Sequence, residues 1–173
     1  GFKVKMREHQ VLAREDYRSK QGSAWGDDVY SSLDVSKSTE FVGYNEKKAN
    51  AEVLYIIKDN QVVDSASRGE RVTIILDRTP FYAESGGQVG DQGAIKAEGL
   101  LVKVDDCKKT NDGKYLHMAE IEEGTVKTGM QVDAVIDATR RMAIARNHTT
   151  THLLHKALRT VLGSHVNQAG SLV

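Results

Sequence analysis

From Phe41 to Ile136 the chain is written in short runs rich in β-branched residues, each closed by turn chemistry, and no helical repeat emerges anywhere in that stretch. The runs are Ala51 to Ile57, Gln61 to Ala66, Arg71 to Leu76, Ala94 to Val104, Tyr115 to Ile121 and Met130 to Ile136. Asp59-Asn60 separates the first two, and Asn111-Asp112-Gly113 follows the fourth with the positive-φ residues that a tight hairpin favours. Hairpin-linked strands with no helices between them must close on themselves or stack, so a small antiparallel β-barrel is expected over residues 39–136.

After Asp137 the period changes. Ala138, Met142, Ala145, Leu153, Ala157, Leu158, Val161 and Leu162 recur at spacings of three and four, and Gly163 suits a left-handed cap, which predicts one long helix from Ala138 to Leu162. Ahead of the barrel, dense charge from Lys3 to Lys20 surrounds Met6, Val11, Leu12 and Ala13, the pattern of a surface helix with a narrow buried stripe. Gly22, Gly26 and the serine-bearing stretch that follows read as a connector, so residues 1–38 form a helical linker segment. The expected class is therefore α+β: an N-terminal helical segment, a small antiparallel β-barrel, and a long C-terminal helix opening a further unit over 137–173.

Composition narrows the function classes. Lys+Arg and Asp+Glu both number 24, so no global basic field announces a nucleic-acid partner, and any such contact must use a local patch. The one cysteine, Cys107, can form no internal disulfide and rules out a cysteine-only metal site, which suits a reducing compartment. No apolar run approaches the roughly 20 residues a membrane span needs, and Gly1-Phe2-Lys3-Val4-Lys5 lacks signal-peptide grammar, so a cytoplasmic setting without membrane contact is expected. The missing initiator methionine and the apolar finish at Leu172-Val173 read as cuts within a longer chain.

Two elements carry chemistry. His148 and His152 lie four apart on the predicted helix, so both imidazoles project from one face toward one metal ion, with His155 at the next step. Paired helical histidines are often a surface accident, and zinc needs at least one further protein ligand. Thr149 stands where a His-Glu-x-x-His peptidase has its glutamate base, so that chemistry is excluded. The second element is the glycine-rich stretch Thr79 to Gly93, which has neither the Lys-Ser/Thr ending nor the following helix of a phosphate loop and by itself is equally a long barrel loop.

Taken together, Pro80-Phe81-Tyr82, Ser85-Gly86-Gly87-Gln88, Gly90-Asp91 and Gly93, then Arg146-Asn147-His148-Thr149, Thr151-His152-Leu153-Leu154-His155, and finally Gly163, His165-Val166, Gln168 and Gly170 to Val173, closely resemble the alanyl-tRNA synthetases. Trp25-Gly26 and Phe41-x-Gly43-Tyr44 extend the likeness over most of the chain, as an internal fragment of linker helix, barrel and first part of the editing domain. The resemblance implies that His148 and His152 supply half of a zinc site whose Cys-x-x-x-His half lies downstream of Val173, leaving the site incomplete in this fragment. Cys107 and His117 have the wrong spacing to replace it.

The implied activity is hydrolysis of serine or glycine wrongly esterified to the tRNA for alanine, with the acceptor end of that tRNA as partner. A charging pocket cannot strongly reject the smaller glycine or the hydroxyl of serine by size alone, so a second site must read that hydroxyl with a placed polar group. Gln168 is the first candidate, at a position that influences editing in similar enzymes, followed by Thr149, Thr150 and Thr151, although helical threonines often bond the carbonyl one turn back. Ser85, Gly86, Gly87, Gln88, Gly90, Asp91 and Arg146 are expected to border the tRNA cleft, and Arg140, Arg141, Lys156 and Arg159 offer charge for phosphates. ATP and magnesium belong to a charging half absent here, where the parent enzyme would attach alanine to its tRNA. The competing readings are a noncatalytic tRNA-binding barrel and a freestanding relative of the editing domain, though such relatives usually start near the barrel and lack the charged leader. Oligomeric state is not legible.

Overall fold

The computed structural model describes residues 29–30, 32–34, 36–168 and 170–173, so the helical segment expected over 1–38 lies almost wholly outside the described residues. The chain divides into two units, Gly1–Asp34 and Val35–Val173. Of the first, a short piece is described, in which Ser32 Oγ donates to the Val29 carbonyl at 2.7 Å and Leu33 N to the Tyr30 carbonyl at 3.3 Å.

The second unit is a closed antiparallel barrel followed by a helix, as the period change at Asp137 requires. Its strands are β1 (Glu40–Phe41), β2 (Lys48–Lys58), β3 (Gln61–Val63), β4 (Ser65–Ser67), β5 (Arg71–Leu76), β6 (Arg78–Thr79), β7 (Gly93–Ala97), β8 (Leu100–Lys109), β9 (Tyr115–Glu123), β10 (Thr125–Lys127) and β11 (Gln131–Ile136). Six of them run in the order β11-β7-β8-β9-β5-β2, and β2 pairs again with β11 to close the ring. Closure leaves those strands without a bare edge. β2 manages this by length: its first half pairs with β11 through Lys48 to Glu52, and its second half pairs with β5 and β3.

Two of the expected strand runs are each divided in the fold. Ala94 to Val104 is a hairpin, with β7 and β8 joined by the two-residue turn Glu98-Gly99, Gly99 taking the left-handed φ of 67° that a glycine allows. Gln61 to Ala66 likewise divides into β3 and β4, and β4 leaves the ring to pair with β10. Asp59 and Asn60 make the tight β2–β3 turn at φ 49° and 59°.

Alternation places Val53, Ile74, Ile95, Val102, Val104, Ile121 and Ala134 inside, all essentially inaccessible to solvent. In β8 the inward set Leu100, Val102, Val104 continues not at 106 but at Cys107, because a register irregularity between Val104 and Asp106 shifts the phase by one.

Helix α1 spans Ala138–Leu162. Asp137 caps it, its carboxylate accepting from Arg140 N at 2.9 Å. Ile144 is the one buried residue of this helix, while Met142, Leu153, Leu154, Leu158, Val161 and Leu162 are exposed.

Candidate functional site

The glycine-rich stretch enters from β6 over a buried hydrogen-bonded chain. Phe81 N donates to Thr79 Oγ1 at 3.2 Å, and Thr79 Oγ1 lies 2.7 Å from His117 Nε2. His117 Nδ1 sits 2.9 Å from the Ile74 carbonyl, which can only accept, so Nδ1 carries the proton and Nε2 accepts from the threonine. Burial lowers the His117 pKa to about 4, partly opposed by the Ile74 carbonyl, so this imidazole is neutral at physiological pH.

Ser85 and Gln88 then exchange backbone bonds at 3.0 and 3.1 Å around Gly86 and Gly87, whose φ values of 60° and 82° make a two-residue hairpin turn that a side chain would strain. Val173 docks here: its N–H donates to the Gly87 carbonyl at 2.9 Å, and its carbonyl accepts from Val89 N at 2.8 Å. A Cβ on Gly87 would stand 2.3 Å from the Ser171 carbonyl oxygen. Gly90 lies against β8, where a Cβ would meet Asp106 Oδ1 at 2.4 Å and the Cys107 carbonyl at 2.5 Å.

Asp91, 1% exposed, points inward, where its carboxylate accepts Tyr82 N at 2.8 Å and both its oxygens lie 2.8 Å from Arg141 Nε. The same guanidinium forms a further ion-pair contact with Asp91 through Nη2, and it donates to the Gly43 carbonyl at 3.0 Å and the Pro80 carbonyl at 3.1 Å. Arg140 Nη1 donates to the Gly90 carbonyl at 2.8 Å. These two arginines, which the sequence offers for phosphates, are thus turned onto the glycine-rich loop. The 50-residue separation of Asp91 and Arg141 gives no local sequence signal of their pairing. Burial also pushes the Cys107 thiol well above its usual pKa, with Asp91 and Asp106 adding to the shift, so this sulfur is neither a ready nucleophile nor a ready metal ligand.

Farther along α1, His148 and His152 face each other with Nε2 atoms 3.2 Å apart and ring centroids 4.7 Å apart. Two nitrogens bound to one tetrahedral zinc at about 2.0–2.1 Å stand about 3.3 Å apart, so the pair fits two of four ligand positions. Among the described residues no group of three or more His, Cys, Asp or Glu could complete the set. His155 is half-buried, and its Nε2 has no hydrogen-bond partner among the described residues. It faces a groove of about 360 Å³ lined also by His152, Lys156, Arg159, Thr160 and Ser164.

The helical threonines bond one turn back: Thr149, Thr150 and Thr151 donate to the carbonyls of Ala145, Arg146 and Asn147 at 3.0, 2.9 and 3.1 Å. Each hydroxyl keeps acceptor capacity. At about 100° per residue Thr149 and Thr151 flank the His148–His152 face on its two sides, whereas Thr150 lies opposite it. Gln168 is exposed and donates to Ser171 Oγ at 3.1 Å, in the segment whose end docks on the glycine turn. Arg146 is exposed on the helix. The structure therefore joins Gly87, Val89 and the 171–173 segment at one place, and Gly90, Asp91 and the first turn of α1 at another.

A family model described as tRNA synthetases class II (A) matches residues 1–140. The alanine-tRNA ligase of Acetivibrio thermocellus is 76% identical over all 173 residues, which cover 20% of that protein. That of Thermoanaerobacter sp. (strain X514) is 49% identical over the whole chain, covering 19% of its length, and that of Bacillus subtilis (strain 168) is 45% identical, covering 20%. The chain thus spans about one fifth of the length of these curated relatives.

Proposed function

The chain belongs to the class II (A) tRNA synthetases, and from that premise we propose that it is part of an alanine-tRNA ligase and contributes to hydrolysis of seryl and glycyl esters wrongly made on the tRNA for alanine. One observation carries this reading: His148 and His152 present their Nε2 atoms 3.2 Å apart, the separation that two ligands of one tetrahedral ion require. They would hold a zinc ion, with the remaining ligands supplied by the parent protein. When bound, zinc supplies a positive charge able to polarise an ester carbonyl or to lower the pKa of a coordinated water.

The chain's own residues then bind and discriminate. Serine differs from alanine by one hydroxyl, which Gln168, Thr149 and Thr151 would read, Gln168 through its amide and the threonines through their remaining acceptor capacity. Thr150, on the opposite side of the helix from the histidine pair, is the weaker candidate. With Arg140 and Arg141 turned onto the loop, Arg146, Lys156 and Arg159, the last also donating to the Ser164 carbonyl at 3.3 Å, are the basic groups on this helix that would approach the acceptor end. Ser85 to Gln88 would border the same cleft through the docked 171–173 segment. Alanine charging with ATP and magnesium would be the work of other parts of the parent enzyme, in the cytoplasm.

The test is zinc-dependent release of serine from mischarged tRNA by the parent-length enzyme, compared with His148→Ala. Loss of both retained zinc and at least 100-fold of the deacylation rate is expected. If the wild-type enzyme, folded and zinc-loaded, binds the tRNA in a salt-sensitive manner without hydrolysing the ester, the barrel is a binding module instead.

A further inference from the structure

Helix α1 buries Ile144 and little else, so apolar packing does not set the direction in which it leaves the barrel. Polar contacts at its first turn are left to do so. Asp137 N donates to the Gln92 carbonyl at 2.7 Å, Arg140 holds the Gly90 carbonyl, and the Arg141 guanidinium gathers Asp91, Gly43 and Pro80. Those acceptors come from the chain before β2, the chain after β6 and the loop before β7. A planar group with five donors in fixed directions can join all three at one angle; a lysine ammonium cannot.

We propose that Asp91 and Arg141 are positioning residues, which fix the angle of α1 and with it the place of His148 and His152 relative to the glycine-rich loop and the 171–173 segment. The role in catalysis rests on the editing reading above; the role in orienting the helix does not. The lever explains why the joint matters. Eleven residues of helix separate Arg141 from His152, about 16 Å, so a tilt of about 10° moves His152 by roughly 3 Å. A site that must be held to about 0.5 Å does not tolerate that. The other attachment of this region, Val173 on Gly87 and Val89, reaches α1 through the non-helical backbone after Gly163, which does not transmit an angle.

Nitroxide labels on Lys103→Cys in β8 and Val161→Cys near the end of α1 read the angle directly, because Cys107 is fully buried and does not take the label. Electron–electron dipolar spectroscopy should give one narrow distance distribution for the labelled chain, and one at least twofold broader with Asp91→Asn or Arg141→Lys. If Asp91→Asn unfolds the barrel, Arg141→Lys, which keeps the charge and loses the planar donors, provides the comparison. In the parent enzyme the same substitutions should lower kcat for serine release at least tenfold with KM within twofold. An unchanged distribution in a folded barrel overturns the proposal whatever the parent does, and a broadened distribution with unchanged kcat overturns the catalytic part. A wild-type parent enzyme that releases no serine removes the editing reading and leaves the distance comparison intact.

Discussion

His117 shows how far one side chain's environment departs from what its identity suggests. The sequence displays it as a spare histidine, yet the fold makes it a neutral strut between the Ile74 carbonyl and Thr79, its ring packed T-shaped with that of Phe81. Because its pKa is about 4 when folded and about 6.5 when unfolded, the unfolded chain binds more protons between those values. Its contribution is therefore fully present above about pH 6.5 and is lost as pH falls toward 4, a change of about 3 kcal/mol over that window. Thermal melts of the wild-type chain from pH 7 to 4.5 should show this fall, and His117→Gln, less stable at pH 7, should show a flatter profile. Equal slopes for the two proteins would remove His117 as the cause.

At the scale of elements, α1 depends on its N-terminus. Asp137 accepts Arg140 N, and beyond Ile144 the helix turns Leu153, Leu154, Leu158, Val161 and Leu162 to solvent, so tertiary burial does little for its second half. Replacing Asp137 by alanine should cost about 1 kcal/mol and reduce helicity measured at 222 nm, while the strands keep their amide protection. In the wild-type chain, amides of residues 150–162 should exchange several orders of magnitude faster than those of β5 and β9, which hydrogen exchange read by NMR would report. Uniform protection across helix and strands would mean that α1 is held by more than its first turns.

Among the described residues, the unit Val35–Val173 is a closed ring of strands with a lightly attached helix, α1. The core residues of β2, β5, β7, β8, β9 and β11 form one continuous cluster, so the barrel should unfold in a single transition, with the distal helix lost earlier. In guanidinium, helical ellipticity at 222 nm should fall at a lower midpoint than the near-ultraviolet signal of the buried Tyr115, whose ring stacks on Phe41 at 5.5 Å. Coincident midpoints would show that barrel and helix form one cooperative unit.

β-Branched runs closed by turn residues marked out β2, β5, β9 and β11, and the 3.6-residue period marked the switch to helix at Ala138 and put His148 and His152 on one face, whereas the short strands β1, β6 and β10 left no such signal. The hairpin inside Ala94 to Val104 was legible but unread, since a single glycine, Gly99, marks its turn and a lone glycine within a strand pattern equally suits a bulge. Local information did not show that Arg140 and Arg141 turn inward, or that Val173 returns to Gly87 and Val89. Those contacts join residues 50 or more positions apart. What an arginine does among several acceptors is decided by which carbonyls and carboxylates the closed barrel brings within reach, and closure is a property of the tertiary structure that no window of sequence contains.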